Sequence, residues 1–143
     1  MQREGFAITT ETSFFNVEFI HAFLSNSYWA KNIPLETVQQ SIDNSLCFGV
    51  FHLGRQIGFA RMITDKATFG YLADVFIDEG YRGQGLSKWL MEEIMAHPDL
   101  QGLRRMMLAT RDAHGLYEQF GFSALSFPER WMQIHQPDIY QKQ

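Results

Sequence analysis

An acidic side chain stands inside an apolar run: Asp74 interrupts Tyr71-Leu72-Ala73-Asp74-Val75-Phe76-Ile77. A carboxylate in such a strand is costly unless it is solvated, paired or at work. Next come Tyr81-Arg82-Gly83-Gln84-Gly85. Leu86, Trp89, Leu90, Ile94 and Met95 follow at helical spacing, with Lys88, Glu92 and Glu93 off that stripe. The segment reads as a strand, a tight basic glycine turn and an amphipathic helix. Gly83 and Gly85 let the main chain approach a ligand with no Cβ in the way. The first helical N–H groups lack intrahelical partners, and the helix dipole adds partial positive charge. Together they suit a phosphate or pyrophosphate. A bare G-x-G serves equally well as plain turn geometry. Other phosphate loops fit badly: there is no G-x-x-x-x-G-K-[ST], and Lys88 stands where the third Gly of G-x-G-x-x-G would fall.

Arg82-Gly83-Gln84-Gly85-Leu86-Ser87 resembles motif A of the GNAT superfamily of acyl-CoA-dependent N-acetyltransferases, written [Q/R]-x-x-G-x-[G/A]. Ser87 departs from the usual Gly or Ala but is still small. A second block, Ala113-His114-Gly115-Leu116-Tyr117-Glu118-Gln119-Phe120-Gly121-Phe122, is similar to the superfamily's A-x-x-[LF]-Y-x-x-x-G-F signature. Thr110 stands where the family often has Asn, three residues before Ala113. Both blocks occur in the expected order and spacing, and the likeness covers roughly residues 45 to 125.

The resemblance implies a fold and a set of roles. The GNAT fold is α/β, a mixed central sheet flanked by helices, with two parallel strands that splay to hold the pantetheine arm of acetyl-CoA. The segment Val75, Phe76 and Ile77 is assigned to that arm, through the backbone of Val75 and Ile77, as an added strand would pair. Arg82, Gly83, Gln84, Gly85, Leu86 and Ser87 are assigned to the diphosphate; Thr110 and Tyr117 are also assigned to the cofactor, Tyr117 at its thiol. A helix terminus contributes roughly 0.3–2 kcal/mol per anion, against about 8 kcal/mol for micromolar binding. Amide hydrogen bonds and the pantetheine arm must supply the rest.

Acetyl transfer to an amine needs two proton movements. An amine of pKa near 10.4 sits about 3.4 units, or roughly 4.6 kcal/mol, above its neutral form at pH 7. In the superfamily, acids on the strand that carries Asp74 often act as base or bind the amine, so Asp74 is the candidate base or amine-binding group. Its rival role is a structural carboxylate. Tyr117 matches the superfamily's frequent general acid for the leaving thiolate, and packing is the alternative. Tyr28 and Trp29, in the aromatic connection Tyr28-Trp29…Ile33-Pro34, fall where the family shapes its acceptor pocket. They could enclose an ammonium or simply be core.

The acceptor is expected to be a primary amine of a small molecule or a protein. A homodimer is left open. A non-catalytic acyl-CoA-binding regulatory module is the alternative reading, and a phosphate-loop nucleotide binder is a third. Cys47 is the only cysteine and opens a strand expected to be buried, so a ping-pong route through it is not expected. His21 and His97 are placed in helices, and His114 at a solvated helix start. No H-x-x-x-H, H-E-x-x-H or carboxylate cluster suggests a metal.

The 143 residues fit one domain, 1–143, with 13 Phe and ordinary apolar content. A net charge of −4 and no basic run beyond Arg104-Arg105 argue against nucleic acid. No signal segment or apolar run of membrane length is read, so a soluble cytoplasmic protein is expected. The expected elements are strands at 6–9, 46–52, 56–63, 68–77, 104–109 and 131–134, and helices at 17–27, 34–42, 84–96 and 113–120.

Overall fold

A computed structural model of the chain describes residues 4–141. Two short positive-φ residues, Leu53 (φ 50°) and Gly54 (φ 85°), close a tight hairpin, as both central residues of such a turn require. The hairpin joins β2 (Leu46–His52) to β3 (Arg55–Thr64). β1 (Phe6–Thr9) adds to one side, β4 (Phe69–Ile77) and β5 (Arg105–Leu108) to the other. The sheet order is β1-β2-β3-β4-β5, antiparallel throughout except for the parallel β4–β5 pair.

Helices cover both faces. α1 (Val17–Ser25) starts where Asn16 Oδ1 accepts the Phe19 N–H, and α2 (Leu35–Asp43) follows Pro34. Their buried Ile20, Leu24, Val38 and Ile42 pack with Cys47, Phe59 and Phe76. α3 (Leu86–Ala96) buries Leu86, Trp89, Leu90, Met91 and Ile94 with Phe48, Val50, Met62, Leu72 and Ile77. Residue alternation in β2 sends Cys47 to one cluster and Phe48 to the other, as a strand between two layers must. Among the described residues no helix is long and apolar enough to cross a membrane.

Two features of β4 position the site. First, β5 pairs only with Phe69 to Leu72, ending at Leu72↔Leu108, while β4 runs on to Ile77. The two parallel strands therefore part after Leu72. Second, the register against β3 passes from Arg61↔Ala73 to Phe59↔Phe76. Two steps on β3 face three on β4, so β4 carries an extra residue, a β-bulge. Asp74 sits there at φ 56°, a left-handed conformation that Asp tolerates better than most residues.

The bulge breaks the period-two pattern of β4. Simple alternation puts Asp74 on one face with both Leu72 and Phe76. Leu72 instead belongs to the α3 cluster and Phe76 to the α1–α2 cluster. The extra residue reverses the alternation between them, which period-two reasoning does not anticipate.

Other differences are smaller. α3 begins at Leu86, two residues later than read, because Gly85 takes the left-handed cap (φ 79°). His97 lies just past α3, where its ring accepts the Asp99 N–H. The strand expected at 131–134 does not form. Trp131 is held by the Arg105 guanidinium, 4.7 Å from its ring centroid, while Met132 and Ile134 are exposed with no ladder partner.

Candidate active site

Where β4 and β5 part, a cavity of about 470 Å³ opens. Tyr71, Leu72, Ala73, Asp74 and Val75 line it from β4, and Leu108 from β5. The β5–α4 connection adds Ala109 to Ala113, α4 (His114–Glu118) adds Tyr117, and the α1–α2 connection adds Tyr28 and Trp29. The predicted residues Tyr28, Trp29, Asp74, Val75, Thr110 and Tyr117 thus meet around one space. Phe76 and Ile77 do not line it. Phe76 is core, stacked on Phe23 at 3.8 Å, and the Ile77 side chain packs with the α3 cluster.

At Ile77 the β4 backbone turns one edge away from β3. The Asp78 N–H donates to Ile57 O at 2.7 Å, flanking the Gly58↔Ile77 pair. In an antiparallel ladder this leaves the N–H and carbonyl of Ile77 facing away from β3, toward the side that β5 has vacated. The Ile77 carbonyl is already engaged, accepting from Arg82 Nε at 3.1 Å. Arg82 therefore braces the end of β4 rather than standing free at the turn. Sequence spacing could not show that contact.

The glycine turn follows directly. Gly83 (φ 81°) and Gly85 (φ 79°) both hold left-handed backbone, and a Cβ built on Gly83 meets no protein atom within 4 Å. Steric packing inside the chain thus does not require glycine at 83; the backbone conformation does. Leu86 is buried under the helix start, and Ser87 is half-buried.

Asp74 is nearly buried, its side chain 8% exposed. Oδ1 accepts from Trp29 Nε1 and Oδ2 from Arg61 Nε, each at 2.8 Å. Arg61 in turn donates to Ser45 Oγ at 3.2 Å. The carboxylate is thus paired and hydrogen-bonded on both oxygens, which is how a buried charge is tolerated. Arg61 escaped the sequence reading, yet the same signal marks it: one cation in the apolar stretch Ile57 to Ile63.

Tyr117 is buried beside Phe122, and its hydroxyl has no hydrogen-bond partner among the described residues. Burial first, and the neighbouring Tyr28 second, push its phenol above the ordinary value near 10. Thr110 Oγ1 accepts the Ala113 N–H at 3.1 Å, fixing the entry to α4. Cys47 is buried on the α1–α2 side, and burial raises its thiol to about 12. Among the described residues no group of His, Cys, Asp or Glu is arranged to hold a metal ion.

The profile of the acetyltransferase (GNAT) family matches residues 14–122. A crystal structure of a GNAT-family protein from Xanthomonas campestris pv. campestris is 52% identical. It superposes with a TM-score of 0.94, over 96% of this chain and 97% of that one. A Gibberella zeae protein assigned as an acetyltransferase is 31% identical over 138 residues, 80% of this chain and 77% of its own. A Clostridium acetobutylicum protein solved with acetyl-CoA shares the fold at a TM-score of 0.60 and 11% identity. That match covers 91% of this chain and 94% of the other. The chain belongs to the acetyltransferase (GNAT) family, and is an acyltransferase.

Proposed function

We propose that this chain transfers the acetyl group of acetyl-CoA directly to a primary amine. The observation that carries the reading is the parting of β4 from β5 after Leu72, beside a cavity bounded by Tyr117 and followed by the Gly83–Gly85 turn. The unpaired edge of β4 fits an extended amide-bearing arm. The N-terminus of α3, with glycine amides ahead of it, fits a diphosphate. The Clostridium relative solved with acetyl-CoA supports this choice of donor. Residues 1–143 are read as one catalytic domain, of which the family match spans 14–122.

Acetyl-CoA supplies an activated thioester; the chain supplies placement and proton handling. The Val75 backbone and the Ile77 N–H hold the arm, and the amides from Gly83 to Ser87 hold the diphosphate. Tyr117 Oη keeps its proton because burial disfavours the phenolate, so it reaches the leaving sulfur as a donor. Asp74 is assigned as a positioning residue rather than the base, because Trp29 and Arg61 occupy its two oxygens. The amine's proton then leaves through solvent in the cavity. Cys47 has no part, since a buried thiol of pKa about 12 is a poor nucleophile at neutral pH.

Incubation with isotopically labelled acetyl-CoA and a panel of primary amines tests the reading. Label is expected on an amine and not on the protein. Label on the protein would overturn direct transfer. Tight CoA binding with no labelled amine would favour the regulatory binding module.

A further inference from the structure

Arg111 lies with its guanidinium carbon 3.8 Å from the centroid of the Tyr28 ring. Tyr28 comes from the α1–α2 connection and Arg111 from the β5–α4 connection, so the stack spans two of the segments that line the cavity. Arg111 is exposed, and among the described residues no carboxylate pairs with it. Stacking occupies the face of a guanidinium and leaves its edge, where the N–H donors lie, free for planar recognition. The ring also limits the side chain's motion, so less freedom is lost when a partner binds.

The charges around the cavity are unevenly committed. Asp74 is neutralised by Arg61, which reaches it from β3. Asp112 also lines the cavity but makes no ion pair with Arg111. The lining thus presents one uncommitted cation with a bidentate edge and one neighbouring anion. An arginine fork matches a carboxylate in shape as well as charge.

We propose that Arg111 is a specificity-determining residue that receives a carboxylate carried by the amine acceptor, which makes free amino acids the favoured substrate class. Tyr28 holds the guanidinium in place, and Asp112 supplies the opposite charge near the same acceptor. The inference rests on the acetyltransferase reading above and deepens it.

The experiment compares amino acids with their carboxamides, which keep the amine and side chain but lose the anion. Phenylalanine, leucine, methionine and lysine are suitable pairs. Two readouts are taken: amine-dependent thiol release from acetyl-CoA, and calorimetric binding to the enzyme saturated with CoA. The wild type is expected to favour each carboxylate by at least tenfold in KM or Kd. Arg111→Gln should bring that ratio to within threefold, mostly through KM, and Arg111→Lys should fall between. CoA affinity of each variant serves as the folding check. Equal handling of carboxylate and carboxamide by the wild type overturns the proposal, as does a preference that survives Arg111→Gln, or no Arg111-dependent binding of any carboxylate. Phosphorylated amines favoured over carboxylates also overturn it. A carboxylate that binds through Arg111 without thiol release supports the subsite while counting against the acetyltransferase reading, so the two fail separately.

Discussion

The indole N–H of Trp29 donates to Asp74 Oδ1 at 2.8 Å, tying the α1–α2 connection to the bulge of β4. The opposite oxygen takes Arg61 from β3 at the same distance. One carboxylate therefore joins three segments at the point where β4 leaves β5. It sits in a left-handed backbone conformation that the surrounding contacts must hold in place.

Asp74→Asn keeps an oxygen for the Trp29 indole and tolerates the positive φ, but leaves the largely buried Arg61 without its counter-charge. Breaking such a pair costs about 3 kcal/mol, which lowers Tm by roughly 5–15 °C for a chain of this size. Differential scanning calorimetry checks the drop. In the folded fraction, the acidic limb of the kcat pH profile should stay where it is. Loss of that limb would return the base role to Asp74.

Tyr117→Phe removes one hydroxyl and keeps the ring against Phe122. Turnover should fall by about 10²–10⁴-fold, the usual range for a general acid, while CoA affinity holds within a few-fold. Wild-type turnover in the variant would leave the ring as packing alone.

The same side chain gives a stability signature. Its folded pKa is raised by burial, so above the unfolded value near 10 the unfolded chain releases a proton that the folded chain keeps. Fewer protons on the unfolded state mean that stability falls as pH rises through that region. Below pH 9 the effect is absent. Comparing Tm between pH 8 and 11, the wild type should lose more than Tyr117→Phe, which lacks the group. Parallel curves for the two proteins would contradict the burial argument.

Gly83→Ala separates backbone from ligand. The added methyl meets no protein atom within 4 Å, so the intrinsic cost is conformational, about 1–2 kcal/mol at a positive φ. Gly85→Glu adds both a side chain and a negative charge at the start of α3. CoA affinity should drop at least tenfold for Gly85→Glu, and measurably for Gly83→Ala, in folded protein. Calorimetry that finds both unchanged would move the diphosphate elsewhere.

Much of this site was legible because its parts are local. Strand β2 has the predicted limits, Leu46 and His52, since apolar runs closed by a Gly54 turn leave little choice. The glycine turn and the helix stripe from Leu86 to Met95 could be read from spacing, and the Tyr117 block from its resemblance to the family signature. What could not be read depends on unequal strand partners. The bulge at Asp74 comes from how β4 meets β3, and it separates Leu72 from Phe76 despite their even spacing. The apolar segment Trp131 to Ile134 looks like a strand, yet Arg105 takes the Trp131 ring and no strand lies beside it. Arg82 looks like a free anion ligand in sequence, and only the fold shows it on the Ile77 carbonyl. Arg111 carries no sequence signal, because its meaning comes from a Tyr28 ring brought from another element.

Amide hydrogen exchange, read residue by residue with and without saturating acetyl-CoA, tests the central claim most directly. Val75, Ile77 and the run from Gly83 to Ser87 should exchange several-fold more slowly when acetyl-CoA is present. ATP at the same concentration should leave the β4 amides unchanged. Unaltered exchange across both segments at saturating acetyl-CoA, or equal protection of β4 by ATP, would contradict the placement of the donor along the edge that β5 leaves open.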